Sequence, residues 1–268
     1  MAQSGEREAI VINYSARAPE RPRYFANDHS RDTVIVEQHD MRAYDGRATP
    51  TSLDDAGFML VDHKSALSDF SDRETAARVH CPEIAELVQR VTGADFVQCK
   101  SPPLARFSER SGKAGSRDNS YPARFCHVDV SDATGSEFAL RSAEGRPFRR
   151  AAHYNVWRAL SPAPQDVPLA MLDARSVSDK DLILADAIFD SPGGDWQFES
   201  YVVAHNPAHR WFWYPDLTAG EAIIFKTHDS LKDVATCVPH VAFDDPRTPQ
   251  DAPPRVSIEM RAIAYWWD

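Results

Sequence analysis

Pro254-Arg255-Val256-Ser257-Ile258-Glu259-Met260-Arg261-Ala262-Ile263 alternates polar and apolar side chains from Arg255 to Ala262. A period of two belongs to a strand whose faces meet different surroundings. Arg255, Ser257, Glu259 and Arg261 share one face. Val256, Ile258, Met260 and Ala262 share the other, which reads as the outer face of a barrel packed against helices. Working back from this strand, short strand-like runs fall near 96–99, 104–107, 123–129, 152–158, 168–172, 200–205, 210–214, 221–226 and 238–243, with short helices expected near 135–142 and 179–188. Gly, Pro, Asp and Ser clusters separate them, and the connections leave no room for repeated βαβ crossovers. The pattern predicts a mainly β fold with flanking helices, an antiparallel barrel or sandwich.

Ahead of this core, Ala9–Asn13 and Thr33–Glu37 read as short strands. Ser68–Thr92 carries Ile84, Leu87, Val88 and Val91 at helical spacing and reads as two short amphipathic helices broken near Cys81-Pro82. Ser108–Pro122, rich in Gly, Ser and Arg, reads as a long hairpin loop, either plain solvated chain or a lid over a barrel mouth.

Lys and Arg total 30 against 40 Asp and Glu, a net charge of −10, which gives no overall pull toward nucleic acid or anionic membrane. The N-terminus has no basic start followed by an apolar stretch, and no run of about 18 apolar residues occurs, so a cytoplasmic protein with no membrane partner is expected. Cys81, Cys99, Cys126 and Cys237 form no Cys-x-x-Cys pair, which leaves neither a zinc ribbon nor a disulfide framework. Homo-oligomer formation stays open.

His127 and Asp129 lie two apart at the end of a strand candidate, so imidazole and carboxylate project together. His240 stands in a second strand-like run. Two His and one carboxylate make the facial triad of non-haem Fe(II) oxygenases, which keeps coordination positions open for a co-substrate and O2. His228 is the rival third ligand, although His228 and Asp229 point to opposite faces of a strand. Two arginines inside a barrel need anions, and a dicarboxylate such as 2-oxoglutarate supplies them. The other reading of Arg255, Glu259 and Arg261 is an ion-pair ladder on a solvated face. Asn155 and Trp157 share a strand face that could point inward. His205 and His209 read as turn and packing residues.

These residues resemble a known family. Ala123–Ser131, Asn155–Arg158, Asp173–Val177, Asn206–Trp211, Phe225–Ser230, His240–Phe243 and Pro254–Arg261 look, in this order, like motifs of the hydroxylase/desaturase family of fungal and bacterial secondary metabolism. Relatives of that family include the oxygenase component of cephamycin 7α-methoxylation. The resemblance spans about residues 95–265. It implies one oxygenase domain over 1–268, with a mixed helix/strand layer at 1–94 and a double-stranded β-helix (jelly roll, cupin-like) at 95–268. It further implies Fe(II), 2-oxoglutarate and O2, with His127, Asp129 and His240 as metal ligands and catalytic centre. Arg255 would meet the distal 2-oxoglutarate carboxylate, with Ser257, Arg261 and Asn155 completing the cofactor site. The Arg255-x-Ser257 pattern is also similar to the carboxylate-binding pair of penicillin-forming oxidases. Trp157, Arg158, Arg175 and Lys226 are candidates for a substrate pocket. The implied reaction oxidises an unactivated C–H bond of a small molecule by hydroxylation, desaturation or ring closure, coupled to decarboxylation of 2-oxoglutarate to succinate. Two other readings remain: a cupin-like metalloenzyme that does not use 2-oxoglutarate, and a non-catalytic jelly-roll binding module.

Overall fold

Alternation along the strands sorts the apolar side chains into layers, and the computed structural model, which describes residues 7–191 and 193–268, shows where each layer goes. Met1–Glu6, read above as lacking a targeting segment, lie outside the described residues. The elements in chain order are β1 (Arg7–Ser15), β2 (Arg23–Phe25), β3 (Val36–Asp45), β4 (Phe58–Asp62), α1 (Arg73–Thr92), β5 (Phe96–Gln98), β6 (Leu104–Phe107), β7 (His127–Val128), α2 (Asp132–Ser142), β8 (Phe148–Ala159), β9 (Leu169–Leu172), β10 (Leu182–Ser191), β11 (Gly194–Val203), β12 (Trp211–Trp213), β13 (Glu221–Asp229), β14 (His240–Ala242) and β15 (Val256–Trp267).

One sheet runs β1-β3-β12-β9-β14-β7-β11-β10-β2, and the smaller one β4-β13-β8-β15-β5, with β6 also paired to β15. The two sheets face each other as a jelly roll. Phe58 and Phe225, from the smaller sheet, and Leu169, Met171 and Phe212, from the larger, fill the space between them. Along β9 the intervening Ala170 and Leu172 turn the other way, and along β12 so do Trp211 and Trp213, into a second cluster with Ile12 and Tyr14. The outer face of the smaller sheet, Tyr154, Val156, Met260 and Ala262 among others, packs on Ile84, Leu87 and Val88 of α1. The alternation of β15 is as the sequence predicts, with Arg255, Ser257, Glu259 and Arg261 facing inward and Met260 and Ala262 against the helix.

The expected break at Pro82 does not occur. Helix α1 is continuous for 20 residues, capped by the Asp72 side chain on the Glu74 N–H and ended by Gly93 at φ 66°. A mid-helix proline costs about 3 kcal/mol. The stripe Ala76, His80, Ile84, Leu87, Val88 runs across it and stays buried, so packing on the sheet outweighs the lost bond. The expected helix at 179–188 is strand β10 instead. Its ten residues pair with β11 from Leu182↔Val203 to Ser191↔Gly194, and Ala185 and Ala187 are buried two apart. A hairpin partner there overrides the helix-forming Leu and Ala content. The 33–37 expectation shifts to a strand starting at Val36, and 123–129 shortens to His127–Val128. No described helix is long and apolar enough to cross a membrane.

Candidate metal centre and its cavity

The shortest strand of the larger sheet carries the first ligand candidate. β7 lies between β11 and β14, and His127 sits directly opposite His240. Their rings are 4.4 Å apart, and His240 also packs 4.6 Å from the Phe225 ring. Asp129, just past β7, brings its Oδ1 to 3.4 Å from His127 Nε2 and 3.6 Å from His240 Nε2. The three ligand atoms lie within 4.8 Å of one another.

Each imidazole is oriented by its other nitrogen. His127 Nδ1 lies 3.0 Å from the Phe125 carbonyl and His240 Nδ1 3.1 Å from the Val238 carbonyl. A carbonyl only accepts, so both Nδ1 atoms donate and both Nε2 lone pairs face Asp129. Burial and the neighbouring His240 hold His127 below the ordinary histidine range, which favours the neutral, ligating form. Asp129 is held in its second oxygen: Asn155 Nδ2 donates to Oδ2 at 2.8 Å, and Arg261 lies 3.5 Å from the same atom. Burial works against the charge, but the Arg261 guanidinium keeps the carboxyl well below its usual range. Two imidazole nitrogens and one carboxylate oxygen converging from one side form the donor set of a mononuclear Fe(II) site, and the residues present fit that ion.

A second unsatisfied feature lies further along the inner face of β15. Arg255 is 1% exposed, yet its Nε and one terminal nitrogen have no partner, and neither does the Ser257 hydroxyl two residues on. The Arg255 guanidinium lies 5.6 Å from the Trp157 ring centroid. Burial, then the charge of Arg106, pulls Arg255 down to about 10. An orphaned buried cation beside an orphaned hydroxyl is a costly arrangement that an incoming carboxylate relieves. Arg106 stands opposite Ser257 on β6 and donates to the Asn119 side chain at 2.7 Å and to the Asn119 and Tyr121 carbonyls.

A cavity of about 340 Å³ opens over His127, Asp129 and Arg261. Its walls are largely aromatic and apolar, including Tyr24, Phe125, Ile188, Phe189 and Phe198, and Glu109, Asn119 and Tyr121 of the 108–122 segment close one side. That segment is thus the wall of the cavity, with a short helical turn at Glu109–Ser111. A second cavity of about 300 Å³ meets the first at Asp129, Phe198 and Arg261 and reaches Asn155. Tyr24, Phe125, Phe198 and Arg106 were not singled out in the sequence. Phe125 carried a signal, since it stands two residues before His127; Tyr24 sits on a three-residue strand and carried none.

The remaining candidates separate. Asn155 joins Asp129, and Trp157 faces the interior beside Arg255. Arg158, one residue on, takes the opposite face by strand parity, where it meets His63 and the Ala219 carbonyl and does not line the metal cavity. Arg175 is bound to Asp173 by two bonds of 2.8 Å away from that cavity. Lys226 is buried between Asp229 at 2.7 Å and Asp54 at 2.8 Å, so its charge is already matched. His228 lies outside the triad, beneath α2, where a Cβ on Gly135 would come within 2.4 Å of its ring. A register shift in β13 between Lys226 and His228 accompanies this placement. His209 bonds Tyr14 and Asp181, and His205 stacks on His39, both at packing positions.

A facial triad mounted in a jelly roll defines a mononuclear non-haem metal oxygenase. The family described as "Oxidoreductase/YMDC permease-like domain" matches residues 4–265. The chain is 32% identical over 247 residues to an alpha-ketoglutarate-dependent dioxygenase, phiK, of a fungal species, covering 88% of this chain and 85% of the relative. It is 30% identical to the hydroxylase/desaturase efuI of Hormonema carpetanum, with coverage of 88% and 85%. Among solved structures, the iron and alpha-ketoglutarate-dependent endoperoxidase NvfI superposes with a TM-score of 0.83 at 25% identity, over 99% of this chain and 100% of that one. The chain belongs to this family of Fe(II)/2-oxoglutarate-dependent hydroxylases and desaturases.

Proposed function

We propose that His127, Asp129 and His240 hold Fe(II), that Arg255 and Ser257 receive the distal carboxylate of 2-oxoglutarate, and that a small, largely apolar molecule in the cavity is oxidised at an unactivated C–H bond. Hydroxylation is the default outcome, with desaturation or ring closure as the variants the family name covers. The single observation that carries this reading is the buried, unpartnered Arg255–Ser257 pair on the strand that also brings Arg261 to Asp129. A metalloenzyme without 2-oxoglutarate, or a simple binding module, leaves that pair without a reason.

Iron(II), when bound, supplies the oxygen activation that couples loss of CO2 from 2-oxoglutarate to substrate oxidation. The chain's residues do the rest. Asn155 and Arg261 hold Asp129 so that Oδ1 stays turned to the two imidazoles. Arg255 and Ser257 fix one end of the co-substrate, and that fixes the direction of the other. Phe125, Phe189 and Phe198 give the cavity an apolar wall for the substrate's hydrocarbon surface, so shape helps select which C–H bond lies nearest the metal.

The test is release of labelled CO2 from 1-carbon-labelled 2-oxoglutarate by the Fe(II)-loaded protein against a panel of small terpenoid, polyketide and aromatic compounds. Stimulated release with one succinate formed per CO2 supports the reading. Substrate oxidation that proceeds unchanged with 2-oxoglutarate omitted would overturn it.

A further inference from the structure

Arg158 leads to a second site. On the outer face of the smaller sheet, a cavity of about 750 Å³ is bounded by the 64–71 segment, the 113–117 part of the 108–122 segment and the outward residues of β6, β8 and β15. Four lining side chains are cationic, Lys64, Lys113, Arg117 and Arg158, against one carboxylate, Asp69. Asp69 is engaged with its own loop, accepting from the Ser71 N–H at 2.8 Å and the Ser71 hydroxyl at 2.9 Å. Among the described residues, no carboxylate forms an ion pair with any of the four cations.

Arg158 is the built part of this site. It is 2% exposed, one terminal nitrogen donates to the Ala219 carbonyl at 3.3 Å, another meets His63 Nδ1, and its Nε has no partner. The opposing charge near it is Glu83, which is committed to Ser65 at 2.6 Å, His80 at 2.8 Å and the Ala66 N–H at 2.8 Å. A buried guanidinium with an open donor and no ion-pair partner costs free energy that a bound anion recovers. The other walls, Leu67, Phe70, Phe107 and Leu160, are apolar. Cations at one place and hydrocarbon beside it match a ligand with the same division.

We propose that this cavity binds an anionic amphiphile, a carboxylate or phosphate monoester on an aliphatic or aryl body, with its head on Arg158, Lys64 and Arg117 and its body on Phe70, Phe107 and Leu160. The site is separate from the metal centre, because β8 sends Trp157 inward and Arg158 outward. Its occupant would also touch the segment whose Glu109, Asn119 and Tyr121 wall the active-site cavity.

Calorimetric titration of the full chain with decanoate, decyl phosphate, decanol and inorganic phosphate, below micelle formation, tests this directly. One of the two anionic amphiphiles should bind saturably, and the tighter of them identifies the head group; decanol and inorganic phosphate should each bind at least ~10-fold more weakly. Hydrogen exchange should slow in 64–71 and 113–117. The exposed double substitution Lys64→Ala, Arg117→Ala should weaken binding by ~10-fold or more with an unchanged melting temperature, and Arg158→Leu should abolish it. The surface pair decides the matter if Arg158→Leu does not fold. No binding of either anion, decanol binding as tightly as the anions, inorganic phosphate binding as tightly as decyl phosphate, or indifference to the surface pair would each overturn the proposal.

Discussion

Asn155 donates to Asp129 Oδ2 at 2.8 Å, and this bond leaves Oδ1 as the oxygen that faces His127 and His240. Asn155 lies on β8 of the smaller sheet and Asp129 just past β7 of the larger, so the bond ties β8 to the end of β7. On the proposed assignment, it would present the carboxylate to the metal through one oxygen in a fixed direction. Arg261 adds charge to the same arrangement from β15.

Asn155→Ala should therefore weaken Fe(II) binding by ~10- to 100-fold, the usual effect of removing a bond to a metal ligand. Competition with a chromophoric chelator under anaerobic conditions measures it. Affinity equal to that of the wild type would mean that Asp129 is oriented without Asn155.

Arg255→Leu should separate stability from binding. Replacing a buried, unpaired cation by an apolar side chain removes a desolvation cost, so the apoprotein should be unchanged or more stable by roughly 1–3 kcal/mol in urea unfolding. The same variant should lose 2-oxoglutarate binding. Lower apoprotein stability would show that Arg255 has a structural role in the free chain.

Lys226 should behave in the opposite way. Its ammonium sits between Asp229 and Asp54, and Asp229 is wholly buried and shared with Arg150 at 2.6 Å. Lys226→Met leaves that carboxylate short of a partner and should cost about 3–5 kcal/mol. The urea midpoint reads this out, with Asp229→Asn in the same background expected to restore part of the loss.

The legible parts of the sequence were those where one residue's neighbours fix its face. The polar–apolar alternation of β15 is such a case, because a strand period of two needs no knowledge of the partner strand; the His127-x-Asp129 spacing was legible too, although Asp129 lies just past the end of β7. Membership of the hydroxylase/desaturase family was legible from ordered motifs. What failed depends on the partner. Residues 182–191 are a strand because β11 pairs with all ten of them, and α1 runs through Pro82 because a sheet covers its apolar stripe. Arg158 and Lys226 have the right charge for a substrate pocket but face other surroundings, and a one-residue step along β8 is enough to make that difference. Tyr24 reaches the cavity only because β2 pairs with β10, a contact more than 150 residues away in the chain.

His153 predicts how stability responds to acid. Burial, and then the charge of neighbouring His228, lowers it to about 3, against 6.5 for the free side chain. The unfolded chain thus takes up a proton that the folded chain refuses. Stability contributed by this group is complete above about pH 6.5 and is lost as pH falls from there toward 3, by up to about 1.4 kcal/mol per pH unit. His153→Leu should flatten the dependence of unfolding free energy on pH between 6.5 and 5 by about that slope. An unchanged slope would show that His153 is protonated in the folded protein.

The most direct test of the metal and co-substrate assignment is anaerobic titration of the apoprotein with Fe(II) and 2-oxoglutarate, following the weak visible metal-to-ligand charge-transfer band. The band should appear in the wild type, vanish in Asp129→Ala and weaken in Arg255→Ala. Tight iron binding with no band on adding 2-oxoglutarate, or a band of full strength and affinity in Arg255→Ala, would contradict the account.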